Sequence, residues 1–262
     1  MSYVVVKLGG HALDSLETTS PVLRDLAADI AELKTAGEAV VVVHGGGPQI
    51  AQLLSEVGVP SVFHEGLRVT SPETMKYVAM ALGEVNVRIV AALQQAGLNA
   101  IGLCGTDGNL VRATAMGEPW DRAGMNPQVD ASLLDLLCAN GFTPVVSPVA
   151  TDENGELLNC NADTTAGAIA GALGADLLLL SDIDQLRANP DDADSVLESV
   201  ASSVVRELIT SGAARDGMKP KMTAALDALQ GGAVKVTLGN GTRPHALRDV
   251  RSKSIPTTEV LA

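Results

Sequence analysis

The stretch Tyr3-Val4-Val5-Val6-Lys7-Leu8-Gly9-Gly10-His11 reads as a buried strand that empties into glycines. Its unbroken β-branched run has the density of a strand covered on both faces, and the glycines bring bare backbone N–H groups to its carboxyl end. The pattern recurs at Ala39-Val40-Val41-Val42-Val43-His44-Gly45-Gly46-Gly47-Pro48. Two such strand exits beside a lysine make a cradle for several phosphate oxygens. They predict a parallel sheet with a phosphoryl-transfer site at its carboxyl edge. Neither stretch fits G-x-x-x-x-G-K-[ST] or G-x-G-x-x-G, which argues against P-loop NTPases and dinucleotide dehydrogenases.

Composition agrees with that architecture. The chain has 262 residues, 46% of them hydrophobic but only 2% aromatic, so its core must be built of Val, Leu, Ile and Ala. Such a core suits a sheet buried between two helical layers. No run approaches the roughly 20 apolar residues of a membrane span, and the first residues lack the pattern of a signal peptide. Cys104, Cys138 and Cys160 are far apart, without metal-ligand spacing, and read as reduced thiols. These features predict a cytoplasmic protein. A net charge of −13 argues against a nucleic-acid partner, because nothing neutralises a row of phosphates.

Punctuation along the chain predicts the remaining elements. Ser20-Pro21 and Ser71-Pro72 are helix starts. The first opens a helix with Leu23, Leu26, Ile30 and Leu33 on one face, and the second a long helix over 72–95. A short helix carries Ile50, Leu53, Leu54 and Val57. Strands are expected at 3–6, 39–43, 99–104, 143–149, 176–182 and, last, 233–238. Further helices are expected at 131–139, from Asp163 to about 173, at 196–211 and at 218–231. Residues 105–130 read as an irregular hairpin or flap, and 188–195 as an acidic loop. Strand–helix alternation predicts parallel pairing through right-handed crossovers. The chain divides into an N-terminal lobe, 1–175, and a C-terminal lobe, 176–262.

Several polar residues sit where structure alone does not ask for them. Lys7 ends a hydrophobic strand; an isolated lysine there would simply snorkel to water, but Gly9 and Gly10 follow it at once. Gly45, Gly46 and Gly47 exceed the one or two glycines a sharp turn needs, whereas His44 reads as structural. Arg68, in Gly66-Leu67-Arg68-Val69-Thr70, has the planar fork that grips carboxylates. Asn159, Asn161 and Asp163 precede or open a helix, and capping explains only one of the three. Met218-Lys219-Pro220-Lys221 sets two lysines at a helix start, where the macrodipole disfavours cations by up to roughly 1 kcal/mol. An anion at that spot would reverse the sign.

Taken in order, Lys7-Leu8-Gly9-Gly10, His44 to Ile50, Gly66 to Thr70, Gly102 to Gly108, Asn159 to Asp163 and Gly217 to Lys221 resemble the amino acid kinase family. Within it they resemble most the branch that phosphorylates N-acetylglutamate. The resemblance implies a three-layer α/β/α sandwich with a mainly parallel central sheet of about eight strands. It implies ATP-dependent phosphorylation of a side-chain carboxylate, with Mg²⁺ arriving on ATP and no metal site of the protein's own. By position, Lys7 and Lys221 would be catalytic and Asp163 would orient them. Gly45, Gly46, Gly47, Arg68 and Asn159 would bind the N-acylated amino acid. Gly9, Gly10, Ser181, Asp182, Gly217 and Met218 would bind ATP. A homodimer built on the N-terminal lobe is expected, through an apolar stripe of Met75, Val78, Met80, Leu82 and Ile89. Two other readings fit the same motifs: a kinase for aminoadipate or glutamate linked to a small acidic carrier protein, and a non-catalytic sensor on the same fold.

Overall fold

The computed structural model describes residues 2–9, 13, 17, 20–189, 191–192, 194–212 and 218–262. The strands of the first half are β1 (Ser2–Leu8), β2 (Glu38–His44), β3 (Phe63–His64), β4 (Leu67–Arg68), β5 (Ala100–Cys104), β6 (Val111–Gly117) and β7 (Asp121–Val129). They are followed by β8 (Thr143–Ser147), β9 (Val149–Thr151), β10 (Leu157–Cys160), β11 (Asp176–Ser181), β12 (Leu186–Arg187) and β13 (Val196–Leu197). The last are β14 (Ser199–Ala201), β15 (Lys235–Asn240) and β16 (Thr257–Leu261). The helices are α1 (Pro21–Thr35), α2 (Gly47–Glu56), α3 (Pro72–Gln95) and α4 (Ser132–Ala139), then α5 (Ala162–Leu173), α6 (Ser202–Thr210), α7 (Met218–Gln230) and α8 (Ala246–Ser252).

Eight strands form one sheet in the order β14-β16-β15-β11-β1-β2-β8-β5. Every neighbouring pair is parallel except β15–β16. Strands drawn from residues 1–175 make one half and those from 176–262 the other, and β1 pairs with β11 at the seam. One face is covered by α1, α3 and α8, whose Leu23, Ile30, Ile89 and Leu247 pack on Val4, Val6, Val40 and Val42. The other carries α4, α5, α6 and α7, with Leu134, Ile169, Val205 and Met222 against Val5, Val41, Val43 and Leu177. This is the three-layer α/β/α sandwich, and burial on both faces is why its strands are continuous apolar runs.

Strand periodicity also aims the key lysine. Val4, Val6 and Leu8 face the α1–α3–α8 layer, and Val5 faces the other. Side chains alternate at period two, so Lys7 points with Val5 toward α5 and α7. Those two helices approach closely through small residues. A Cβ on Gly171 would lie 2.6 Å from the Gly231 carbonyl oxygen, and one on Gly167 would lie 3.2 Å from Ala224 O and from Ala228 Cβ. The tight crossing brings the first turns of α5 and α7 together beneath Lys7.

Beyond the short strands β3, β4, β10 and β12, which were not expected, the structure departs from the sequence expectations in further places. The hairpin expected over 105–130 is there, as antiparallel β6 and β7, but it is no loose flap: it closes with β9 and β10 into a small four-stranded ring. Register shifts at 112–114 and 115–117 break the alternation that would have revealed it. The strand expected at 143–149 stops at Ser147, because Pro148 has no N–H for the ladder, and the chain then enters β9. The helix expected at 196–211 starts only at Ser202; residues 196–197 pair with β12, and 199–201 add to the sheet beside β16. Beyond β15 come α8 and the antiparallel β16, neither anticipated. On α3, Met75, Val78, Leu82 and Ile89 are core, whereas Met80 and Val87 are exposed by 54% and 66%.

Gly171→Val would push a branched side chain into backbone rather than into a pliable neighbour. We expect unfolding free energy to drop by about 1–3 kcal/mol or more, measured by urea titration, together with loss of any activity that needs α5 and α7 in register. A variant as stable as the parent would contradict the close-packing account.

Candidate functional site

At the carboxyl edge of the sheet, Asp163 stands between two lysines. Lys7 Nζ lies 2.6 Å from Asp163 Oδ1, and Lys221 Nζ lies 3.5 Å from Oδ2. Lys7 and Asp163 are buried, each about 6% exposed. Asp163 opens α5 behind its N-cap Asn161, whose Oδ1 accepts from the Asp163 and Thr164 N–H groups. Burial alone would raise the Asp163 pKa, but the Lys7 and Lys221 charges and hydrogen bonds outweigh it and hold the carboxyl below its usual range. The group is therefore an anion with one cation on each of its oxygens. A Cβ on Gly9 would run into the Lys7 ammonium, so a side chain there would have to displace it from Asp163.

A cleft of about 540 Å³ opens beside this group, lined by Lys7, Gly9, Gly45–Gly47, Arg68 and Asn159. Gly45 borders it, but its N–H donates to the Leu8 carbonyl at 2.8 Å, so this amide is not free for a ligand, contrary to the sequence expectation. Gly46 and Gly47 remain: a Cβ on Gly46 would press on Leu82 at 2.8 Å, and Gly47 opens α2 with its N–H unpaired by the helix. Arg68 is 7% exposed, donates to Ser61 Oγ and, at 3.1 Å, to Gly47 O, and lies 4.6 Å above the Phe63 ring. No carboxylate among the described residues pairs with it, and burial lowers its pKa. Asn159 on β10 donates to Thr70 Oγ1 at 3.1 Å.

A second cleft, of about 510 Å³, lies at the end of β11 and the start of α7, and Asp182, Asp184, Arg187 and Met218 line it. Ser181 is buried behind it, its Oγ accepting from the Ile183 N–H, so it shapes the turn instead of lining the cleft. Gly9 borders the first cleft, not this one. Gly10 and Gly217 lie outside the described residues. Met218 and Lys221 share the first turn of α7, so this cleft borders the helix that carries Lys221. Among the described residues no three His, Cys, Asp or Glu side chains converge as a metal cage. No helix among them is long and apolar enough to cross a membrane.

Sequence reasoning missed Asn86. It is 7% exposed on the core face of α3, four residues after Leu82, and its Nδ2 donates to Val145 O at 2.9 Å and to His44 Nε2 at 3.1 Å. A polar residue inside the apolar stripe of α3 was the available signal. His44 is fully buried, its Nδ1 lying 2.8 Å from Gly45 O, and burial lowers its pKa to about 4.

Comparison with known proteins agrees with this geometry. The model of the amino acid kinase family matches residues 2–240. An acetylglutamate kinase from Prochlorococcus marinus (strain NATL2A) is 40% identical over 247 residues, which cover 93% of this chain and 80% of that one. Another from Nostoc punctiforme (strain ATCC 29133 / PCC 73102) is 43% identical, covering 93% and 82%. The crystal structure of smu.665 from Streptococcus mutans UA159 superposes with a TM-score of 0.79 at 30% identity, over 91% of this chain and 94% of that one. Carbamate kinase from Giardia lamblia, at a TM-score of 0.69 and 18% identity over 99% and 98%, shares the fold.

The buried imidazole makes stability depend on pH with a defined sign. Its folded pKa is near 4 and the ordinary value is 6.5. Between those values the unfolded chain binds the proton and the folded one does not. Stability is therefore lost as pH falls from about 6.5 to 4, by roughly 1.4 kcal/mol per pH unit. Urea titrations of the wild type and His44→Asn across that range should diverge by this slope; parallel curves would contradict a neutral His44.

Proposed function

Because the chain belongs to the amino acid kinase family, we propose that it moves the γ-phosphoryl group of ATP onto the side-chain carboxylate of N-acetylglutamate. The observation that carries this reading is the pair of lysines on one buried aspartate, beside a cleft whose arginine has no carboxylate partner among the described residues, with a second cleft at the sheet edge. The relatives named acetylglutamate kinase support the choice of acid. The carrier-linked and sensor readings draw no support from either.

An ionised carboxylate needs no base. One of its oxygens attacks phosphorus in line, the bond to the ADP oxygen breaks, and charge spreads over the three equatorial oxygens. Lys7 and Lys221 supply positive charge to those oxygens, and the Gly46 and Gly47 N–H groups extend the cradle. Asp163 offsets the mutual repulsion of the two ammonium groups and keeps both aimed. Arg68, a buried cation with no acid beside it among the described residues, takes the α-carboxylate, and Asn159 takes the acylated nitrogen. ATP lies in the cleft lined by Asp182 and Met218. Mg²⁺ travels on its phosphates, where it neutralises charge when bound; the described residues form no cage for it.

On this reading residues 1–175 hold the acid and 176–262 the nucleotide. A homodimer would form on α3, where Met80 and Val87 stay exposed on either side of Gly83. A reducing, cytoplasmic setting fits the free thiols, since burial pushes Cys138 to about 11 and Cys160 to about 12.

Incubation with ATP, N-acetylglutamate and hydroxylamine should trap an acyl phosphate as hydroxamate; turnover only with other acids would overturn the assignment. Lys7→Ala and Lys221→Ala should each lower kcat by on the order of 10²-fold or more. Arg68→Ala should instead raise KM for the acid more than it lowers kcat, because its partner keeps the same charge throughout. A rise confined to the KM for ATP would move Arg68 to the other half of the site.

A further inference from the structure

We propose that His44 and Asn86 are positioning residues that lock the Gly45–Gly46 peptide with its N–H turned toward the phosphoryl group. This deepens the kinase reading and rests on it. The hydrogen bonds leave one assignment. Asn86 faces two backbone carbonyls, Val145 O at 2.9 Å and Leu103 O at 3.4 Å, so the side-chain atom there must be the amide nitrogen. The same nitrogen meets His44 Nε2 at 3.1 Å, which must therefore accept. A neutral imidazole accepting at Nε2 carries its hydrogen on Nδ1, and Nδ1 lies 2.8 Å from Gly45 O. The chain of donation runs from Asn86 to His44 to the Gly45 carbonyl.

The consequence for the cleft follows from peptide geometry. In a planar trans peptide, C=O and N–H point in opposite directions. Holding the Gly45 carbonyl toward buried His44 turns the Gly46 N–H the other way, and Gly46 borders the cleft. No acceptor among the described residues pairs with that N–H. A peptide between two glycines has the least steric resistance to flipping. Flipped, it would present a carbonyl oxygen to an incoming anion. The Gly45 N–H is fixed on Leu8 O at 2.8 Å and cannot itself prevent that flip, since it belongs to the preceding peptide. The imidazole can. The lock is neutral and buried, and it touches no substrate.

Two measurements test this. In protein labelled with ¹⁵N-histidine, the His44 ring, assigned by its absence from His44→Leu, should be neutral at pH 6 with its hydrogen on Nδ1, and Asn86→Leu should shift or mix that tautomer. A His44 ring protonated on Nε2 would overturn the relay whatever the enzyme's substrate. With N-acetylglutamate and ATP, His44→Leu should lower kcat about tenfold or more, with the KM for the acid changing less. His44→Asn, which places an N–H where Nδ1 stands, should recover most of the loss. Equal losses in His44→Leu and His44→Asn, at matched stability, would reduce the pair to packing. Absence of turnover in the wild type would instead count against the kinase reading, and the tautomer result would stand apart from it.

Discussion

The carboxylate of Asp163, shared between Lys7 and Lys221, is the constraint on which the rest of the molecule turns. Two ammonium groups cannot be brought together at a buried sheet edge without an anion between them, and a buried anion is costly without cations. Each therefore requires the others, and three separate parts of the chain must converge. β1 delivers Lys7 through the alternation of its side chains. The Asn161 cap fixes the start of α5 and so the position of Asp163. The packing of Gly167 and Gly171 against Ala224, Ala228 and Gly231 brings α7 close enough for Lys221 to reach. This arrangement is held together by the protein's own charges.

The glycines of the site divide by cause. Gly9 is bare because the Lys7 chain folds over it, Gly46 because Leu82 presses on it, and Gly171 because another backbone passes. Gly47 meets nothing within 4 Å. Its missing side chain leaves room in the cleft rather than relieving a contact in the protein.

Much of this was legible in the sequence wherever local chemistry agreed with long-range pairing. The buried runs 3–6 and 39–43 and the Ser-Pro starts of α1 and α3 carried their meaning locally, and the cations singled out at Lys7 and Lys221 meet on one aspartate. The failures share one cause. The ring closed by β6 and β7 is irregular in register, β13 is a two-residue strand, β14 is defined by a partner far along the chain, and β16 runs against β15 while lying parallel to β14. None of these leaves a periodic trace. The second cleft was partly legible: Asp182 and Met218 line it, but Ser181 turns inward to shape the strand exit. Likewise Gly45 belonged to the right turn, yet its N–H was already used by Leu8, a fact that depends on which strand lies beside it.

A crystal structure with ADP, tetrafluoroaluminate and N-acetylglutamate is the most direct test of the central claim. The account predicts the planar fluoride between the two clefts, with both Lys7 Nζ and Lys221 Nζ at hydrogen-bond distance, about 3 Å, and both still paired with Asp163. A fluoride bound away from either ammonium group, with the lysines left on Asp163 alone, would contradict it.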